Sequence, residues 1–313
     1  MVVFVLVCVS VSSTIRRAAA ELSQHDWQVR PAWLVVGGLL YVIGLVPMAW
    51  FWHRALAALG QPAPWPATLR AYFFGHLGKY VPGKAMAIIL RVAAVRKWVT
   101  SMRVAIVSTM LETLTMMAVG AFLGAVLSVL ALKIDLVWAV LAAGMALAFG
   151  LPTLPPVASR LAQLGVGRMK RPAELDTASL SSSSIEPNLS GINVRLLITG
   201  WLAACVCWVL LGLSLWATLR AMCIESVEPL RDLPLMVATV SFAVAVGFAS
   251  MLPGGLGVRD LVLVELLAPV CGAAGALVAA VLLRLVWLVS ELAVCVILYV
   301  AAKYKSTRED SQE

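Results

Sequence analysis

Long apolar runs without alternation fill most of the chain, and short polar connections separate them. That pattern predicts helices rather than strands. Ala32 to Trp52 is a full span that ends in "MAWFWHR", an aromatic belt followed by a basic anchor. Long spans follow at Val104–Leu132, Ile134–Leu154 and Leu196–Leu219, and Gly272–Ala302 closes the series. Leu233–Leu252 has the length of a span as well. A helix needs about 20 apolar residues to cross the hydrocarbon. Met1 to Val11 is too short for that alone and lacks the basic region and cleavage site of a signal peptide. It reads as a partial first helix, as if the start codon were placed too late.

Two stretches depart from this pattern. From Pro66 to Val95, apolar pieces of about 13 and 11 residues flank a Gly/Pro/Lys core at 78–84, and each is too short to cross. Downstream, "LPGGLGVRD" separates Leu233–Leu252 from Leu261–Val270. Both stretches, 66–95 and 233–270, are expected to be broken, re-entrant elements. For the second, two full crossings leave the chain end on the same side, so parity does not separate the alternatives.

Composition supports the membrane reading. The 313 residues are 62% hydrophobic and 13% charged, with mean hydropathy +0.95. Soluble domains carry about 25% charged residues, so lipid must solvate much of this surface. The expected fold is an all-α polytopic membrane domain with about six to eight transmembrane segments, formed by 1–313 as one unit. A β-barrel is excluded because no alternating ten-residue segments occur. The net charge of +8 fits orientation and anionic lipid better than nucleic acid, since the basic residues flank apolar runs and no nucleic-acid motif is present. Arg96, Lys97 and Arg103, then Arg160, Arg168, Lys170 and Arg171, then Lys303, Lys305 and Arg308 place 96–103, the Ser-rich loop 155–193 and the tail 303–313 in the cytoplasm. The six cysteines form no C-x-x-C pair and the three histidines are scattered, so neither a metal site nor a cofactor is expected.

The polar residues inside this apolar chain carry its chemistry. "GKYVPGK", from Gly78 to Lys84, has Walker spacing, but Ala85 stands where Mg²⁺ needs Ser or Thr, and no strand precedes it. ATP binding is therefore not expected. Gly78, Lys79, Gly83 and Lys84 read either as a cradle for a lipid phosphate or as snorkelling interfacial anchors. Arg259 reads as a phosphate ligand or as a partner of Asp260 or Glu265. Ser108, Glu112 and Thr115 form a polar stripe that must face protein or water. Glu112 is a candidate substrate or proton site, or a structural partner of Arg284. Arg284 and Glu291 share a face of the last helix about 10 Å apart, too far to pair with each other.

"HLGKYVPGKAMAIILR" and "MLPGGLGVRDLVLVELL" together resemble the lysylphosphatidylglycerol synthase transmembrane family, over about 30–305. That family includes the flippase half of the bacterial multiple peptide resistance factor. The resemblance implies a membrane fold with re-entrant elements that moves or exposes a modified phospholipid. It carries Lys79, Pro82, Gly83 and Lys84 from the first motif, and Pro253, Gly254, Gly255, Gly257 and Arg259 from the second, as substrate-binding residues. Arg91, which closes the first motif, joins them, with Glu112, Arg284 and Glu291 as intramembrane polar or coupling groups. Synthase members add a soluble C-terminal domain, whereas this chain ends shortly after its last helix. A lysyltransferase is therefore not expected, and without a nucleophile, base and metal constellation neither is another enzyme. The expectation is a flippase-like transporter of an anionic or aminoacylated phospholipid, or of a lipid-linked sugar, in the cell membrane. The alternatives are a non-transporting membrane partner of a lipid-modifying enzyme and, behind it, a headgroup-modifying enzyme. A homo-oligomer is compatible with either of the first two readings.

Overall fold

The computed structural model describes residues 29–80, 85–132, 136–158, 160, 191–224, 226–255 and 257–310. The expected partial helix at 1–11, most of the Ser-rich loop, and Pro82, Gly83 and Lys84 lie outside the described residues. Among the described residues the chain is a multi-pass all-α protein without strands. In order run α1 (Pro31–Ala58), α2 (Trp65–Leu77), a 3₁₀ turn (Gly78–Tyr80), α3 (Ala85–Val95), α4 (Met102–Leu132) and α5 (Leu136–Gly150). Then come α6 (Val194–Ala221), α7 (Leu233–Ala249), a second 3₁₀ turn (Pro253–Gly255) and α8 (Val258–Asp310). Among the described residues four helices are long and apolar enough to cross a membrane, namely α1, α4, α6 and α8, and α7 is a shorter apolar helix.

Local chemistry sets the ends of these helices. Pro31 opens α1, where its missing N–H costs nothing. Asn193 caps α6, its Oδ1 accepting from the Leu196 N–H at 2.9 Å. α8 is helical throughout except at Cys271 and Gly272, and Gly272 has φ 73°. The bend there leaves a first arm, 258–270, about 20 Å long. That is shorter than the roughly 30 Å hydrocarbon core, as are α2 and α3. Helical structure continues to Asp310, through the segment read from sequence as a tail.

α1 lies along α6, while α4 packs between α5 and α7. The centre is built on tryptophans whose polar atoms are satisfied. Trp208 is fully buried and donates Nε1–H to the Met116 carbonyl at 3.0 Å. Ser214 of α6 donates to the Gly37 carbonyl at 2.8 Å and accepts from Trp287 Nε1 at 3.0 Å, which ties α1, α6 and α8 together. Buried Gln61 accepts from the backbone N–H groups of Thr100 and Ser101 at 2.7 and 3.0 Å. It clamps the connection before α2 to the one after α3, so both ends of the first broken element are fixed at the same place.

The two broken elements fold back on themselves by close backbone approach. A Cβ on Gly78 would stand 2.6 Å from Ala87 Cα, so only glycine lets the start of α3 lie against the end of α2. Gly255, at φ 64°, sits in the left-handed region, and a Cβ there would lie 2.9 Å from Gly247 Cα. The second turn thus lies down on the end of α7. The two 3₁₀ turns touch each other, and Gly254 approaches the Lys79 carbonyl.

Candidate functional site

Two charged clusters form around the first broken element, and α2 serves both. Tyr72, His76 and Lys79 are spaced i, i+4, i+7, one face of α2 and its terminal turn. Tyr72 and His76 reach one cluster, and Lys79, one turn further on, reaches the other.

The first cluster centres on Glu112. Arg91 donates from Nη1 to Glu112 Oε2 at 2.5 Å, Thr113 Oγ1 donates to the same oxygen at 3.1 Å, and the Tyr72 hydroxyl donates to Oε1 at 3.1 Å. Arg91 also reaches His76 Nδ1 from Nη2 at 3.1 Å, and its guanidinium stands 4.1 Å over the Tyr72 ring. Arg91 and Glu112 are 5% and 1% exposed. Gly75 makes the room, because a Cβ there would lie 2.1 Å from Arg91 Cγ. The stripe of Ser108, Glu112 and Thr115 is buried, as its spacing requires. Arg284, considered as a structural partner of Glu112, does not pair with it: Arg91, at the end of its own motif, takes the carboxylate.

The second cluster lies where the two turns meet. Lys79 pairs with Glu291 Oε1, and the Tyr41 hydroxyl donates to the same oxygen. Lys79 Nζ is also 3.1 Å from that hydroxyl. Tyr41 stacks on Trp287 at 4.6 Å, Lys79 stands over Tyr41 and Tyr80, and Arg259 stands 5.2 Å over Trp287. These cation–aromatic contacts keep the ammonium and guanidinium beside one aromatic layer.

Asp260 lies between two guanidinium groups. Arg284 Nη2 is 3.1 Å from its Oδ2 and Arg259 Nε is 3.7 Å from its Oδ1, while the Gly257 N–H donates to Oδ2 at 3.3 Å. Neither arginine is aligned to hydrogen-bond it. Among the described residues, Arg259 Nε and Nη2, Arg284 Nη2, Asp260 Oδ1 and Glu291 Oε2 are buried without a hydrogen-bond partner. Native interiors leave few such groups, so five of them in one place mark a cluster arranged for something other than its own saturation. Glu265, the other partner considered for Arg259, is exposed.

Of the residues singled out in the sequence, Lys79, Arg259, Arg284 and Glu291 thus fall in one cluster. Gly254, Gly255 and Gly257 form the positive-φ turn beside it, and Pro253 opens that turn. Arg91 and Glu112 fall in the other cluster. Arg284 and Glu291 do not pair with each other, as their spacing predicts. Sequence reasoning missed Tyr41, Tyr72, His76 and Trp287. A spacing signal was present for all but Tyr41: Arg284, Trp287 and Glu291 are spaced i, i+3, i+7, and Tyr72 and His76 are spaced i, i+4. Among the described residues no group of three or more His, Cys, Asp or Glu could hold a metal ion.

No curated protein matches the chain. The family model for the lysylphosphatidylglycerol synthase TM region matches residues 1–295, across both broken elements and every residue of the two clusters. The chain belongs to the lysylphosphatidylglycerol synthase TM-region family.

Proposed function

We propose that this protein is a flippase-like transporter that moves an anionic or aminoacylated phospholipid, or a lipid-linked sugar, between membrane leaflets. The observation that carries the reading is the meeting of the two 3₁₀ turns at a cluster of buried, incompletely bonded cations and carboxylates. Paired helix breaks in the two halves of a transporter expose backbone groups near the midplane, where a headgroup can bind. In this reading 66–95 and 233–270 are re-entrant elements whose tips meet inside the bilayer. Lys79, Arg259 and Arg284 receive the phosphate. Glu291, with the Tyr41 hydroxyl, releases Lys79 as the headgroup arrives. Arg91 and Glu112 hold the first hairpin in place. Movement runs downhill or is coupled to an ion.

The test is lipid movement in proteoliposomes without ATP, with labelled phosphatidylglycerol, its lysyl ester and a lipid-linked sugar. The expected result is movement of at least one of them well above protein-free vesicles. Movement of none, together with co-purification of a lipid-modifying enzyme, would replace transport by a partner role.

The same reading sets the orientation in the cell membrane, with the connection at 96–103 and the C-terminus cytoplasmic. Leu230 is 89% exposed in the connection between α6 and α7, and Lys97 is exposed before α4. With native cysteines replaced, Lys97→Cys is expected to react with an impermeant thiol reagent only from the cytoplasmic side, and Leu230→Cys only from the outside. Labelling of both from one side would refute the topology.

A further inference from the structure

The charges around the joined turns do not cancel. Among the described residues three cations, Lys79, Arg259 and Arg284, face two carboxylates, Glu291 and Asp260, which leaves one positive charge in excess. Lys79 has Glu291 to itself, so the excess lies on the two arginines that share Asp260. Arg259 is 8% exposed, and its Nε and Nη2 have no hydrogen-bond partner among the described residues. A buried guanidinium that shares its one carboxylate with a second guanidinium is incompletely compensated, which is costly, and a bound anion would supply the missing charge. Arg259 is also the second residue of α8, so the unpaired N–H groups of that helix's first turn add partial positive charge beside it.

We infer that the site between the two turns takes a lipid headgroup with one net negative charge, a phosphodiester whose other substituents are uncharged. It discriminates against aminoacylated headgroups, whose added ammonium groups cancel that charge or, in a lysyl ester, reverse it. This inference rests on the transport reading and narrows it. Both carboxylates are already matched by cations of the site, so a cationic headgroup would add to the excess rather than neutralise it. Glu291 Oε1 already takes Lys79 and Tyr41, and Asp260 lies between two guanidiniums. The unbonded nitrogens of Arg259 are covered in this state, so the phosphate reaches them when the two turns part. It then makes the bidentate contacts for which a guanidinium is shaped.

The experiment is equilibrium binding to the full chain in nanodiscs of uncharged lipid. It uses labelled phosphatidylglycerol as probe, with unlabelled phosphatidylglycerol, lysylphosphatidylglycerol and inorganic phosphate as competitors. The inference expects phosphatidylglycerol to compete at least about tenfold better than its lysyl ester, the scale of a like-charge mismatch in a buried site. It expects inorganic phosphate not to compete. The lysyl ester competing equally or better overturns the inference and leaves the transport reading standing. Probe binding unchanged in Arg259→Met overturns both, because the site is then elsewhere. Free phosphate competing as well as the lipid overturns the lipid assignment.

Stability of the lipid-free protein gives a second, independent readout. Removing the excess charge with Arg259→Met is expected to raise the unfolding midpoint, and Asp260→Asn, which leaves two guanidiniums unopposed, to lower it. A fall with Arg259→Met would mean that this arginine is an ordinary structural partner of Asp260.

Discussion

Glu112→Gln is expected to cost about 3–5 kcal/mol of folding stability, the range for breaking a buried ion pair by removing one partner. The shape at position 112 hardly changes, and an amide oxygen can still accept from the Tyr72 hydroxyl. The charge does change. Arg91, 5% exposed and seated between the Tyr72 ring and His76, loses the carboxylate that balances it. The double substitution Arg91→Met, Glu112→Gln is expected to recover most of the loss, because the stranded charge leaves with Arg91. Denaturant unfolding in mixed micelles checks both. A double variant less stable than Glu112→Gln alone would show that Arg91 holds the fold by contacts other than this pair.

Lys79→Met is expected to have the opposite profile: a large loss of lipid movement, about 10–100-fold, with little loss of stability. The magnitude is that of one charge-assisted hydrogen bond to the headgroup, about 1.5–3 kcal/mol. Stability is spared for two reasons. Removing Lys79 leaves two cations, Arg259 and Arg284, against the two carboxylates of the cluster, so no net charge is stranded. Glu291 keeps the Tyr41 hydroxyl as a hydrogen-bond donor. Initial rates in proteoliposomes, at matched amounts of folded protein, measure the first effect, and micellar unfolding measures the second. A Lys79→Met protein that unfolds as readily as Glu112→Gln would make this lysine a fold residue.

The sequence showed the helices, the two breaks and the charged residues, because hydrophobic length and the cost of burying charge both act locally along the chain. It placed the first hairpin's two short pieces nearly where α2 and α3 lie. It did not show which charges meet. Arg91 and Glu112 are 21 residues apart, and their pairing depends on Gly75 admitting the arginine, a packing fact without periodicity. Lys79 and Glu291 are 212 residues apart, brought together by contact of turns from opposite ends of the chain. Tyr41 and Trp287 stayed hidden for a related reason. In an apolar span an aromatic residue reads as core, and only the cation above its ring gives it another role.

In the transport reading the two clusters divide the work, Lys79 and its neighbours moving lipid while Arg91 and Glu112 hold the hairpin. The most direct measurement compares lipid movement by wild type, Lys79→Met and the Arg91→Met, Glu112→Gln double variant in one reconstitution series. The account predicts that Lys79→Met falls to near the protein-free rate while the double variant keeps most of the wild-type rate. Equal loss in both, or loss only in the double variant, would contradict it.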